Sequence, residues 1–155
     1  MAVTALCEAA AYYASLGQTL ADVMLAMYEK YGFYAEALAS VTQKGADGAE
    51  KIAAMMTAVR TAPPADVAGR KVLAVRDYLR GERRDFVTGE IAPVGLPESN
   101  VLYFELEGGA WCCVRPSGTE PKIKFYIGAK GTSVSDAQEQ LAALKEGFLQ
   151  LFREE

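Results

Sequence analysis

The sequence predicts an α+β fold with an antiparallel sheet. Three observations carry that expectation. Residues 100–115 read as a hairpin, two β-rich runs flanking Gly108-Gly109. Residues 122–128, "KIKFYIG", alternate apolar and polar with the two-residue period of a strand. Segments with helical periodicity stand at either end, so sheet signals and helix signals are segregated rather than interleaved.

In chain order, "TALCEAAAYYASL" (4–16) is rich in Ala and Leu and predicts a helix, with Gly17 suited to its C-terminal cap. Thr19 opens a second helix, with Asp22 three residues on as its capping partner. Leu20, Val23, Met24, Met27, Tyr28 and Tyr31 form one face of it, and Gly32 ends it. The segment 33–45 supports two readings. Its alanines favour helix, while Phe33, Ala35, Ala37, Ala39 and Val41 alternate as in a strand. "QKGADG" reads as a turn, and 49–60 as a helix with Ile52, Met55, Met56 and Val59 at helical spacing, stopped by Pro63-Pro64.

Residues 69–79 read as a strand and "RGERRD" (80–85) as a solvated, mixed-charge turn. Residues 86–99, with Gly89, Pro93, Gly95 and Pro97, read as irregular. A two-residue turn at Gly108-Gly109 would set Leu106 opposite Trp111, Phe104 opposite Cys113 and Leu102 opposite Arg115. Ser133 or Ser135 caps a last helix reaching about residue 153, with the stripe Val134, Ala137, Leu141, Leu144, Phe148, Leu151.

Composition narrows the function. The 155 residues are 51% hydrophobic and 23% charged, which suits a packed domain and argues against disorder. The net charge of −4 argues against a nucleic-acid partner, so any anion site must be local. There is no histidine, which removes Ser-His-Asp and Cys-His catalysis and the commonest transition-metal ligand. Cys7, Cys112 and Cys113 have neither the count nor the spacing of a disulfide framework or zinc site, and are expected as buried, reduced thiols. No secretory signal and no apolar run near 18 residues is present, so a cytoplasmic location without membrane contact is expected.

The chemistry concentrates in "RPSGTEPKIK" (115–124). Ser117-x-x-Glu120 matches a capping box, but the residues after Pro121 alternate as a strand, so no helix is there to cap. A plain hairpin turn and an anion-binding loop remain. A phosphate monoester offers three acceptor oxygens and needs converging donors. Arg115 offers a planar fork, Ser117 and Thr119 offer hydroxyls and backbone N–H groups, Gly118 admits close approach, and Lys124 adds a cation from the next strand. Glu120 would repel phosphate and is expected to point away.

"RPSGTEPKIKFYI" closely resembles the phosphate-binding loop in the C-terminal domain of the α-D-phosphohexomutases, the phosphoglucomutase/phosphomannomutase family. "TLADVMLAMYEKYGFY", "EKIAAMMTAVR", "VRDYLRG" and "LPESNVLYFELEGGAWCCVRPSGTEPKIKFYIGAKG" are similar to family segments as well. The resemblance implies a TATA-binding-protein-like domain over 33–155, an antiparallel sheet of about four strands with two helices on one face, preceded over 1–32 by the closing helices of the third of four family domains. It implies that Arg115, Ser117, Gly118, Thr119 and Lys124 bind the sugar phosphate that is not being transferred.

The family interconverts hexose 1-phosphate and 6-phosphate through a glucose 1,6-bisphosphate-type intermediate. The phosphoserine, the Mg²⁺-binding loop and the sugar-reading loop belong to other domains, and their motifs are absent from this sequence. The chain is therefore expected to be a fragment without catalytic residues or metal site, inactive alone. Its expected partners are a phosphosugar, the other domains of such an enzyme, and a second copy through a patch including Met24, Met27 and Tyr31. The alternative is a stand-alone module for phosphate or sugar-phosphate binding or for interaction, without catalysis. A blander one is a structural domain whose loop takes only adventitious anions.

Overall fold

The computed structural model describes residues 1–43, 45 and 47–152. It opens with two helices, α1 (Ala2–Ser15) and α2 (Leu20–Tyr31). α1 ends as its sequence suggests: the Gly17 N–H donates to the Ala14 carbonyl and the Gln18 N–H to that of Tyr13, the paired bonds that close a helix through a left-handed residue. At the start of α2 the Asp22 carboxylate accepts from the Thr19 N–H at 2.8 Å, and Thr19 Oγ1 accepts from the Asp22 N–H at 3.2 Å, completing the capping box. No residue of either helix is buried, and Met24, Met27 and Tyr31 face outward.

The remaining elements are β1 (Phe33–Thr42), α3 (Gly48–Thr61), β2 (Asp66–Val67), β3 (Arg70–Asp77), β4 (Glu82–Asp85), β5 (Ile91–Pro93), β6 (Leu102–Leu106), β7 (Trp111–Pro116), β8 (Lys122–Gly131) and α4 (Val134–Gln150). The sheet runs β1-β8-β7-β6-β3-β4-β5, with β2 paired to β3, and every pairing is antiparallel. The class is therefore α+β as expected. Ile52, Met56 and Val59 of α3 join Leu144 and Phe148 of α4 in one core against Leu102, Phe104, Cys112, Val114, Ile123, Phe125 and Ile127 of the sheet. Both helices thus cover the same face.

The sheet is larger than expected, with eight strands among the described residues rather than about four. The ambiguous segment after Gly32 is strand β1: Phe33, Ala35, Ala37 and Ala39 turn inward under α4, and burial settles what alanine propensity left open. "RGERRD" is not only a turn, because Glu82–Asp85 forms β4. Its charges pair within the segment, Arg84 with Glu82 and Arg83 with Asp85, and also across strands. Glu105 Oε1 accepts from Arg76 Nε at 2.6 Å, and the Arg83 fork grips both oxygens of the same carboxylate, at 3.0 and 2.8 Å. The stretch 86–99 is irregular apart from the three residues of β5.

The hairpin register is shifted by one residue from the expected one. Leu102 faces Val114, Phe104 faces Cys112, and the Leu106 N–H bonds the Ala110 carbonyl at 2.9 Å. The connection is a three-residue 3₁₀ turn, Glu107–Gly109, with φ near +75° at both glycines, not a two-residue turn. A one-residue slip inverts which side chains meet. The observed register puts Leu102, Phe104, Cys112 and Val114 together in the core and leaves Trp111, Cys113 and Arg115 on the open face.

Ser133 caps α4, its hydroxyl accepting from the Asp136 N–H at 3.1 Å. Of the expected α4 stripe, Val134 and Leu151 are exposed, and the turn after the helix buries Phe152 instead. The expected helix end at Arg153, and Lys44 and Ala46 within the expected turn, lie outside the described residues.

The Glu105 cluster yields a pH prediction. The Arg83 bonds, reinforced by Arg76, hold the Glu105 carboxyl below its ordinary range against the opposing effect of burial. A depressed folded-state value stabilises the fold above the unfolded value, near 4.3, and that contribution fades as pH falls through the folded one. Glu105→Gln should therefore lower the urea midpoint at pH 7. The gap from the unmodified chain should narrow progressively below about pH 4. A gap constant with pH would contradict it.

Candidate functional site

β7 and β8 pair to their ends, with Arg115 opposite Lys124 and Pro116 opposite Ile123, and the loop 117–121 joins them. The Ser117 N–H donates to the Lys122 carbonyl at 2.7 Å, and the Lys122 N–H returns to the Glu120 carbonyl at 2.7 Å. These bonds close the loop at its base. Thr119 lies at the exposed tip, its N–H 3.5 Å from Ser117 Oγ. Glu120 pairs with Lys122 at 3.5 Å, so its charge is partly met within the loop.

The loop is also held from outside. The Gln43 N–H donates to the Pro121 carbonyl at 2.9 Å. Gly48, the first residue of α3, is buried against it: a Cβ there would sit 2.6 Å from the Gln43 carbonyl oxygen and 3.1 Å from Pro121 Cβ. Only glycine lets the start of α3 approach this closely.

Charge singles out one rung. Arg60, Arg70, Arg76, Arg80, Arg83 and Arg84 each have a carboxylate, amide or carbonyl acceptor. Arg115 is the one arginine among the described residues that has none, and Lys124 across from it has no carboxylate within 4.0 Å. Both side chains are exposed on the open face of the sheet. Two neighbouring cations repel unless an anion lies between or above them, and they stand so in a chain of net charge −4.

Around the corner, on the helix side, a cleft of about 270 Å³ separates the loop from α3. Pro116, Ser117, Gly118, Glu120 and Pro121 form one wall, Ala49, Ile52 and Ala53 the other, and Asn100 completes it. The structure thus gathers Ser117 and Gly118 at this cleft, Arg115 and Lys124 on the adjoining open face, and Thr119 at the tip between them. The crevice bordered by Arg60, Arg80 and Arg84 has only about 20 Å³, and Asp77 and Glu82 already engage those arginines.

The two cysteines beneath the site are not activated. Burial pushes the Cys112 thiol up to about 12 and that of Cys113 to about 11, the latter against the pull of the Arg115 charge. Neither is a thiolate near neutral pH. Both are free thiols, as is Cys7, which is exposed rather than buried. Among the described residues no group of three or more His, Cys, Asp or Glu could hold a metal ion. No helix among them is long and apolar enough to cross a membrane.

Sequence reasoning missed Asn100 and Gly48. Neither carries a local signal. Asn100 reaches the cleft only because the sheet order sets the start of β6 beside α3, and Gly48 sat inside an apparent turn.

Comparison with known proteins gives four findings. Residues 35–146 match the family described as phosphoglucomutase/phosphomannomutase, C-terminal domain. A phosphoglucomutase of Staphylococcus aureus (strain bovine RF122 / ET3-1) is 36% identical over 128 residues, 83% of this chain and 23% of that protein. A probable phosphomannomutase of Haemophilus influenzae is 35% identical over 139 residues, 90% of this chain and 25% of its own length. The crystal structure of the exocytosis-sensitive phosphoprotein pp63/parafusin, a phosphoglucomutase from Paramecium in its open form, superposes with a TM-score of 0.51. That likeness covers 86% of this chain and 22% of the other at 16% identity, and concerns the fold. The chain spans about a quarter of the length of these relatives.

Proposed function

Because the chain belongs to the phosphoglucomutase/phosphomannomutase family, through that family's C-terminal domain, we propose that it is the part of a hexose-phosphate mutase that clamps the phosphate not being transferred. The observation that carries this reading is the Arg115–Lys124 rung, two cations without acid partners at the base of the Ser117-Gly118-Thr119 loop. An arginine fork can make two parallel bonds to one phosphate, and Lys124 adds a point charge. Ser117 and Thr119 supply hydroxyls, and Gly118 leaves room for the oxygens at the backbone.

These groups recognise phosphate and nothing of the ring it is attached to. A clamp of that kind serves a reaction in which the sugar presents first one phosphorylated end and then the other. Arg115, Ser117, Thr119 and Lys124 move no proton and no phosphoryl group; they fix the substrate so that chemistry elsewhere acts on a held molecule. In this reading the chain alone turns over no substrate. Residues outside this chain would hold the magnesium, which would supply positive charge to the transferred phosphoryl group, and the exposed faces of α1 and α2 pack on the rest of such an enzyme or on a second copy.

The test is an NMR titration of glucose 1-phosphate into the chain and into Arg115→Ala. Losing a charge-assisted pair should weaken binding by about 10- to 100-fold. Identical shifts at Ser117 to Thr119 in both proteins would overturn the clamp. Mutase turnover by this chain alone would overturn its non-catalytic role.

A further inference from the structure

We infer that Asn100 is a further substrate-contacting residue, donating from its carboxamide nitrogen to a phosphate oxygen of a sugar phosphate held at the 117–121 loop. The inference rests on the clamp reading and extends it to the helix side of the cleft.

Asn100 borders the same cleft as Ser117 and Gly118. Its amide is oriented by an interaction that leaves no choice of flip. Arg60 Nη2 lies 2.7 Å from Asn100 Oδ1, and a guanidinium only donates, so the oxygen must face Arg60. Arg60 is itself fixed, its Nε donating to Asp77 Oδ2 at 2.9 Å in a nearly buried pair with side-chain exposures of 10% and 7%. The carboxamide nitrogen is left with two N–H bonds and, among the described residues, no acceptor. A buried ion pair thus holds an exposed donor at the border of a cleft whose α3 wall, Ala49, Ile52 and Ala53, is apolar.

The donor complements the loop. The Ser117 N–H is already spent on the Lys122 carbonyl. Arg115 and Lys124 approach from the open face, so phosphate oxygens turned toward α3 would otherwise meet only Ser117, Gly118 and the partly neutralised Glu120. Asn100 supplies the missing donor on that side.

Asn100→Asp is the discriminating change. It keeps an oxygen for Arg60 and so preserves the Asp77–Arg60 arrangement, but it replaces the donor with a negatively charged acceptor. Kd for glucose 1-phosphate and for inorganic phosphate should rise about tenfold or more in Asn100→Asp and several-fold in Asn100→Ala, with the thermal midpoint of Asn100→Asp unchanged. Wild-type affinity in Asn100→Asp would overturn the inference. So would a loss of binding matched by a loss of thermal stability, which marks a structural role. Arg115→Ala separates the two readings. If it weakens binding and Asn100→Asp does not, the clamp stands without Asn100. If the unmodified chain shows no saturable binding of either probe, both fall.

Discussion

Asp77→Ala should destabilise the chain by about 3–5 kcal/mol, because it removes one partner of a buried ion pair and strands the other. Asp77 is 5% exposed and does two jobs. Its Oδ2 accepts from Arg60 Nε at 2.9 Å, with Arg80 at 3.5 Å, while its Oδ1 accepts from the backbone N–H of Leu79 at 3.1 Å and of Arg80 at 3.4 Å. The carboxylate therefore ties α3 to β3 and also shapes the turn into β4. Asp77→Asn keeps an oxygen for the turn and loses the charge, so it should fall between Asp77→Ala and the unmodified chain. Urea denaturation of Asp77→Ala, Arg60→Ala and the double variant checks this. The double variant should be clearly more stable than the sum of the two single losses requires, a coupling of about 1–3 kcal/mol. Additive losses would mean that the pair contributes through packing alone.

Phe148→Ala should cost a similar amount, about 3–5 kcal/mol, by a different route. Phe148 of α4 has no exposure and sits edge-on to Phe104 at 5.6 Å, Phe125 at 5.8 Å and Phe152 at 5.5 Å. Truncation removes the ring from a close-packed cluster that cannot collapse, since Phe104 and Phe125 are held in β6 and β8. Phe148→Leu refills much of the volume and should cost less than half as much. The urea slope should stay constant across both variants while the midpoint falls. A cost under 1 kcal/mol for the alanine variant would mean that α4 is not what closes the core.

What could be read from the sequence followed the strength of local rules. Lys122 to Ile127 alternate without interruption, and β8 lies where the pattern puts it, with Ile123, Phe125 and Ile127 buried. Thr19 and Asp22 specify the start of α2 by hydrogen bonds within four residues. β4 was missed because its order comes from elsewhere: Glu105, 22 residues on from Arg83, fixes that arginine and its neighbours. The hairpin register was missed for a subtler reason, since two adjacent glycines suit both a two-residue turn and the three-residue turn that forms. Burial of Cys112 and Val114 decides between them. At the site, Arg115, Ser117, Gly118, Thr119 and Lys124 stand together in ten residues and could be singled out by their chemistry. Asn100 is sixteen or more residues from each of the loop positions Pro116 to Pro121, and only the tertiary arrangement brings it to them.

The place of β1 in the sheet has a consequence for the order of assembly. It stands at one edge and, among the described residues, is bonded only to β8, from Phe33–Gly131 to Thr42–Lys122. During synthesis β1 leaves the ribosome before any of β2 to β7, and its one partner emerges after all of them. For that interval ten residues with Tyr34 and Leu38 on one side and a row of alanines on the other have no strand to pair with. Unpaired strands of this kind recruit wrong partners. Translation speed through residues 43–131 therefore sets how long the nascent chain runs that risk.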